Sequence, residues 1–390
     1  MAGSGTTPAL ATMPTEVVCM IGADLSIHEI KEWFLASKRF RDIFLSQICR
    51  QIKFSGNMEQ LENSLLSYFQ TETASFRDVV HNHTRCVIFD AQAFDTRRSM
   101  RAWARRSSIG LLQVGHFIIS NPNLHQVTFN TYLERFKEVS LFMKLVEAGP
   151  QWTDVKNLSF QSPSGNAGVI GAVIQKLENG ALQTISACPE IFYVTQSILH
   201  SHFSNVTSLS LRRQGRKDWR ISRQRDPVIA GLDEDLLDTI HRSFPQLESL
   251  VLYDGILDDC TSSGPLASGV MLARIIRRAL LTLEKMQSLR HFAFDFDKSR
   301  LERDAIPELL ERTPSGFKDV LSQDLEGEEM ADCILLSLLV SRVSTIEEIC
   351  MTSQYPGFYR ATLTDGEWDM SWDSFDDPSQ KDLFPSVLMG

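Results

Sequence analysis

Apolar side chains along this chain fall into two successive rhythms, and the first is helical. Val17, Val18, Ile21 and Leu25 recur at steps of three and four residues, which places them along one side of a helix and its exit. Pro14 suits the first position of that helix, where its missing N–H is no loss, and Glu16 stands where a carboxylate can cap the free amides. Ser26-Ile27-His28-Glu29 has the S-x-x-E form of a capping box and predicts a second helix with the apolar stripe Ile30, Trp33 and Phe34. Phe40, Ile43, Phe44 and Ile48 predict a third. Three short helices in about 40 residues bury too little surface to be comfortable alone, so they form either a docking module or the start of a larger domain. Residues 1–9, small and polar, are expected to be a disordered leader.

The second rhythm is apolar-x-x-apolar-x-apolar. It recurs at Leu124/Val127/Phe129, Val155/Leu158/Phe160, Val206/Leu209/Leu211, Leu247/Leu250/Leu252, Leu289/Phe292/Phe294 and Ile346/Ile349/Met351, with a weaker copy at Cys86 to Phe89. The last two apolar positions of each copy are two apart, as a strand with one buried face requires. Between the copies, Leu133 to Val146, Val169 to Leu177, Leu236 to Arg242, Leu272 to Met286 and Ala331 to Val340 carry clusters compatible with helices. Strand and helix therefore alternate, and the fold class is α/β. The strand positions between the buried ones are expected on an open face: Gln126, Thr128, Asn157, Ser159, Ser208, Ser210, Arg212, Ser249, Tyr253, His291, Asp295 and Glu348. Near the end, Tyr359 to Leu363 and Trp368 to Trp372 alternate around Asp365-Gly366, which predicts a hairpin. Residues 375–390 are expected to be a loosely held tail.

Composition narrows the function. A net charge of -10 and a pI near 5.5 argue against a protein whose main business is holding phosphate backbones. No run approaches the roughly 18 apolar residues needed to cross a bilayer, and residues 1–12 lack the charged start and apolar centre of a signal peptide. The expected location is cytoplasmic or nuclear, with no membrane partner. Seven scattered cysteines, without a CxxC spacing, read as reduced, buried small hydrophobes. No metal or other cofactor is expected.

The helical residues carry a resemblance. Leu10-Ala-Thr-Met13-Pro14-Thr-Glu16-Val17-Val18, then Ile21, Leu25 and Ile30, then Phe34-Leu35-Ala36-Ser37-Lys38-Arg39-Phe40-Arg41 resemble an F-box over roughly 45 residues. Met13 stands where that family more often has Leu, a volume-conserving change, and Phe40 and Phe44 occupy the region of its frequent tryptophan. The resemblance implies docking on a Skp-type adaptor of a cullin scaffold through Leu10, Met13, Pro14, Glu16, Val17, Ile21, Leu25, Ile30, Leu35 and Phe40.

The alternation that follows resembles the leucine-rich-repeat horseshoe. Its last apolar positions are separated by 31 (129 to 160), 51 (160 to 211), 41 (211 to 252), 42 (252 to 294) and 57 residues (294 to 351). All exceed the roughly 20–29 of regular repeats, and the asparagine ladder is missing. The expected organisation is a leader (1–9), an F-box (10–56), an irregular leucine-rich-repeat-like solenoid (57–352), a hairpin cap (353–374) and the tail (375–390). On this reading the target would meet Gln126, Asn157, Ser208, Ser210, Arg212, Tyr253, His291 and Asp295.

Catalytic constellations find little support. Gly165, Gly168 and Gly171 lack a following Lys-Ser/Thr and read as a loop entering a helix. His81/His83 and His200/His202 have no carboxylate or cysteine grouped with them. No G-x-S-x-G or H-E-x-x-H motif is present, so the expectation is a non-enzymatic adaptor. Two basic segments stand out: Arg97, Arg98, Arg101, Arg105 and Arg106 around Trp103, and Arg212 to Arg225 around Trp219. In an acidic chain these read first as solvated faces. The expected function is the substrate-recognition subunit of an SCF-type ubiquitin ligase. The alternative is a repeat scaffold that binds an acidic partner or nucleic acid through residues 212–225.

Overall fold

The computed structural model describes residues 12–23, 25, 27–70, 74–92, 110–130, 139–160, 167–188, 203–212, 232, 234–253, 268–295, 305, 308, 335–336, 339, 342–352, 357–374, 377–380 and 383–389. The chain is mixed α/β and divides into two compact units, Met1–Val155 and Lys156–Gly390. Both predicted basic segments, apart from Arg212, lie outside the described residues, as do Leu10, His200/His202 and most of the helix predicted over Ala331 to Val340.

The first unit opens with the three predicted helices, α1 (Thr15–Ala23), α2 (Ile27–Ala36) and α3 (Lys38–Cys49). Ser37 caps α3 by accepting a hydrogen bond from the Phe40 amide at 3.1 Å. Val18, Ile30, Phe40 and Phe44 form the centre of the triplet, with Met13, Leu25, Trp33, Ile43 and Ile48 packed around them. The Trp33 ring lies 5.5 Å from Phe40 and 6.0 Å from Phe44, so it supplies from α2 an indole among the α3 phenylalanines.

The helical module ends earlier than residue 56. Gln51–Asn57 is a strand, β1, which pairs in parallel with β2 (Cys86–Gln92), and β2 pairs with β3 (Gln126–Asn130). Parallel neighbours need a crossover, and α4 (Met58–Gln70) and α5 (Ala74–His83) supply the first. Register lines up Phe54, Phe89 and Phe129, whose rings stack at 5.7 Å each, with Phe117 of α6 (Gly110–Ser120) set edge-on to Phe54 at 5.0 Å. Helix α7 (Val139–Ala148) packs on α6.

The second unit holds six parallel strands in sequence order, β4 (Asn157–Phe160), β5 (Thr184–Ala187), β6 (Ser208–Arg212), β7 (Ser249–Tyr253), β8 (His291–Asp295) and β9 (Glu348–Thr352). Strand β5 was not expected. It resolves the 51-residue gap into spacings of 27 (160 to 187) and 24 (187 to 211). Helices α8 (Ala167–Gln175), α9 (Glu234–Ser243) and α10 (Gly269–Leu283) lie in the crossovers. Strands β5 to β9 are entered in the same way: the carbonyl of Lys156, Gln183, Thr207, Glu248 or Arg290 accepts the amides of the next strand's first residue and of the residue before it.

Antiparallel to β9 runs the predicted hairpin, β10 (Gly357–Thr364) and β11 (Glu367–Ser374), closed by Asp365 and Gly366 at φ 54° and 86°. Both residues are in the left-handed region that a two-residue hairpin turn demands. The segment beyond is not a loose tail. A 3-10 turn (Pro378–Gln380) and a short helix, α11 (Ser386–Met389), follow, and Phe384 and Leu388 pack on the sheet. Among the described residues, no helix is long and apolar enough to cross a membrane.

The triplet depends on a close approach. A Cβ on Gly22 would stand 2.3 Å from Cε1 of the buried Phe44 ring, while Gln47 donates to the Gly22 carbonyl at 3.1 Å. Gly22→Ala is therefore expected to destabilise the first unit's helices by about 1–3 kcal/mol through overpacking. Faster amide exchange in α1 and α3, with the second unit unaffected, is the measurement that checks it.

Candidate functional site

Two surfaces hold the residues singled out from the sequence, one in each unit. In the triplet, α1 turns the Val18 and Gly22 side inward and leaves Val17 and Met20, three residues apart, outward. Met20 is 71% exposed, and Leu35 at the end of α2 is 75% exposed. Pro14 and Glu16 are exposed, and Met13, Ile21 and Leu25 are half-buried. Ile30 and Phe40 differ from expectation: Ile30 is 0% exposed and Phe40 is buried beside it, so both hold the triplet together and neither has surface to offer a partner. The Arg39 guanidinium donates to the Met13 carbonyl, tying the entry of α1 to α3. Met20 was missed because it breaks the apolar stripe; its position three residues after Val17 was the available signal.

In the second unit, register sorts the expected face into rows. Asn157, Thr184, Ser208, Ser249, His291 and Glu348 align across β4 to β9. The next row on the same face is Ser159, Ser186, Ser210, Val251, Ala293 and Cys350. Along it, exposure disappears: Ser159 and Ser186 are half-buried, and everything from Ser210 onward is buried. Ser210 is thus not an open contact residue. Arg212 pairs with Tyr253 and its guanidinium stands 5.5 Å from that ring's centroid, while Thr352 donates to Asp295 at 2.8 Å. Gln126, in the other unit, pairs with Cys86; Thr128 beside it is buried.

The cover over the buried half was not anticipated. Phe358 of β10 joins Val251, Ala293 and Cys350 in one cluster, with Tyr253, Phe384 and Leu388 packed against it. The Phe384 ring lies 5.5 Å from His291. A signal was present in the strands themselves: Leu250-Val251-Leu252, Phe292-Ala293-Phe294 and Ile349-Cys350-Met351 are unbroken apolar runs, the mark of strands buried on both faces, whereas Leu158-Ser159-Phe160 alternates.

Polar groups at the rim are ordered by one arginine. Arg360 donates to Glu348, to Asp373 at 2.6 Å and to Gln380 at 2.8 Å, joining β9, β10, β11 and the 3-10 turn. Ser249 Oγ and His291 Nδ1 are 3.1 Å apart, while the neighbouring Glu348 carboxylate is engaged by Arg360 and by the Cys350 thiol. Burial pushes the Cys350 thiol well above its ordinary value, with the Glu348 charge adding to the effect. Burial likewise raises Cys86 to about 11. Of the cysteines, Cys19 departs from expectation by being exposed on α1. No cluster of His, Cys, Asp and Glu suited to a metal occurs among the described residues.

The Glu348 carboxyl is held above its ordinary 4.5 by burial, against the opposing pull of Arg360 and His291 and of hydrogen bonds from Cys350 and Arg360. Just above pH 4.5 the folded chain therefore retains a proton that the unfolded chain has released, and raising the pH through that window lowers stability. Glu348→Gln is expected to flatten the stability profile there, as followed by thermal melts at stepped pH; an unchanged slope would assign the carboxylate no such role.

In comparison with known proteins, no family model and no curated protein matches the chain.

Proposed function

We propose that the chain is the substrate-recognition subunit of an SCF-type cullin and RING ubiquitin ligase. The helical triplet acts as an F-box on a Skp-type adaptor, and the strand-and-helix region acts as a leucine-rich-repeat-like solenoid that holds a protein target. The chain supplies geometry, and ubiquitin transfer is performed by other subunits in the cytoplasm or nucleus.

One observation carries the reading. The triplet closes its own core around Val18, Ile30, Phe40 and Phe44, and still leaves Val17, Met20 and Leu35 outside. Singly exposed apolar residues are ordinary, but a methionine and a leucine each about three-quarters bare, on a small helical module, fit a docking surface better than a solvated one. The resemblance of residues 10–41 to an F-box points the same way. For the solenoid, support comes from six consecutive parallel strands in sequence order and from the 27- and 24-residue spacings on either side of β5.

The test is co-purification of the full chain with a Skp-type adaptor. Met20→Asp combined with Leu35→Asp is expected to weaken pairing by about thirtyfold or more, the scale of losing interface anchors, with the circular dichroism spectrum unchanged. Raising the salt should alter wild-type pairing little, since apolar docking does not release counterions; a steep salt dependence would favour a phosphate-binding scaffold instead. Equal pairing by the double variant would remove the F-box assignment.

A further inference from the structure

We propose that the face of β6 to β9 is a peptide-binding groove occupied by the chain's own residues 383–389, and that its external partner is a protein segment presenting an aromatic residue and a leucine four positions apart. This deepens the target-holding part of the proposed function. It does not depend on the triplet's docking.

The strand order makes this face unusual. When parallel strands follow one another in sequence order and every crossover is right-handed, all crossovers fall on the same side of the sheet. The helix side closes without help from the C-terminal segment: Leu250, Leu252, Phe292, Phe294, Ile349 and Met351 are all buried there. The opposite side would be left bare. Its middle row is made of small side chains, Ser210, Val251, Ala293 and Cys350, which let a covering segment come close to the backbone.

What covers it is a compact recognition element. Phe384, in the turn two residues before α11, and Leu388, within α11, are four residues apart, and both pack on the Val251, Ala293 and Cys350 cluster. Helix α11 also touches β6. Among the described residues the segment is further attached by the Phe384 ring beside His291 and by one hydrogen bond that Gln380 accepts from Arg360.

A second, independent observation concerns two hydroxyls at this contact. Ser210, 1% exposed on β6, and Ser386 of α11 each bury a hydroxyl that has no hydrogen-bond partner among the described residues. A buried hydroxyl left unmade is a penalty the native contact does not relieve. A partner segment with the same two apolar anchors, but with a side-chain amide or carboxylate where Ser386 stands, would satisfy Ser210 and displace the intrachain segment. The half-buried end of the row, Ser159 and Ser186, would extend the same site toward β4 for the rest of such a partner, and there the Ser159 hydroxyl is also buried without a hydrogen-bond partner among the described residues.

The probe is a fluorescent synthetic peptide of residues 377–390, added to the full chain and to the full-length Phe384→Asp/Leu388→Asp variant. The variant, freed of self-occupancy, is expected to bind the peptide at least about tenfold more tightly than the wild type, whose competent fraction is small. The same peptide carrying Phe384→Ala should bind neither. Equal or absent binding to a folded variant overturns the groove. Hydrogen exchange on the wild type gives a readout that needs no variant: amides of residues 383–389 should exchange at least about a hundredfold faster than those of β7 to β9, as a locally opening element does. Equal protection would make the segment an inseparable part of the core and overturn the proposal. Neither readout involves the adaptor, so failure here and failure of adaptor pairing are separable.

Discussion

Parallel pairing between strands that are neighbours in sequence is the constraint from which the second unit follows. A parallel strand cannot be reached by a tight turn, so each step needs a crossover, and an interior backbone needs its amides paired at every step. The repeated device in which one carbonyl accepts the amides of the next strand's first residue and of the residue before it resets the register at each entry. Equal register then turns isolated residues into rows. Phe54, Phe89 and Phe129 stack because of it in the first unit, and in the second unit Ser210, Val251, Ala293 and Cys350 line up because of it. A one-residue slip in any strand would exchange the helix-side residues for this row and expose them.

The strands were largely legible because two apolar residues two apart, after a third, is a demanding pattern. Leu250 and Leu252, Phe292 and Phe294, and Ile349 and Met351 all fall where that pattern puts them. Strand β5 escaped because its third apolar position is Ala187, whose small side chain does not mark a core position by itself. The face assignment failed for a different reason. Choosing the residues between the buried ones by polarity picked Ser208, His291 and Asp295 but passed over Val251, Ala293 and Cys350, whose apolar character was the signal that something sits on them. The segment holding Phe384 and Leu388 is too short to show a period, and nothing in its composition ties it to a strand some 35 to 130 residues earlier.

The triplet shows the complementary limit. Val17, Val18, Ile30 and Leu35 are equally apolar and all sit at helical spacing, yet Val18 and Ile30 are buried and Val17 and Leu35 are not. Periodicity identifies a stripe about a hundred degrees wide, and the packing partner decides which edge of it is inside. Here the decision rests on Gly22, whose missing side chain admits the Phe44 ring and so turns Val18 inward. Once that contact is set, the outward edge of α1 can only be Val17 and Met20.

An apolar surface must be covered, and the two units answer that requirement differently. The second unit covers the face opposite its crossovers from within the same chain, with Phe384 and Leu388 packed on Val251, Ala293 and Cys350 and with the Ser210 and Ser386 hydroxyls left unpaired among the described residues. The triplet offers no such cover among the described residues, and Met20 and Leu35 stay in water. Self-occupancy lowers the apparent affinity for an outside ligand by the fraction of time the face is free, whereas a bare patch keeps its full affinity. If both surfaces bind protein, the triplet is therefore the constitutive contact and the strand face the conditional one. That ordering suits a receptor whose scaffold is always engaged and whose target has to compete for its place.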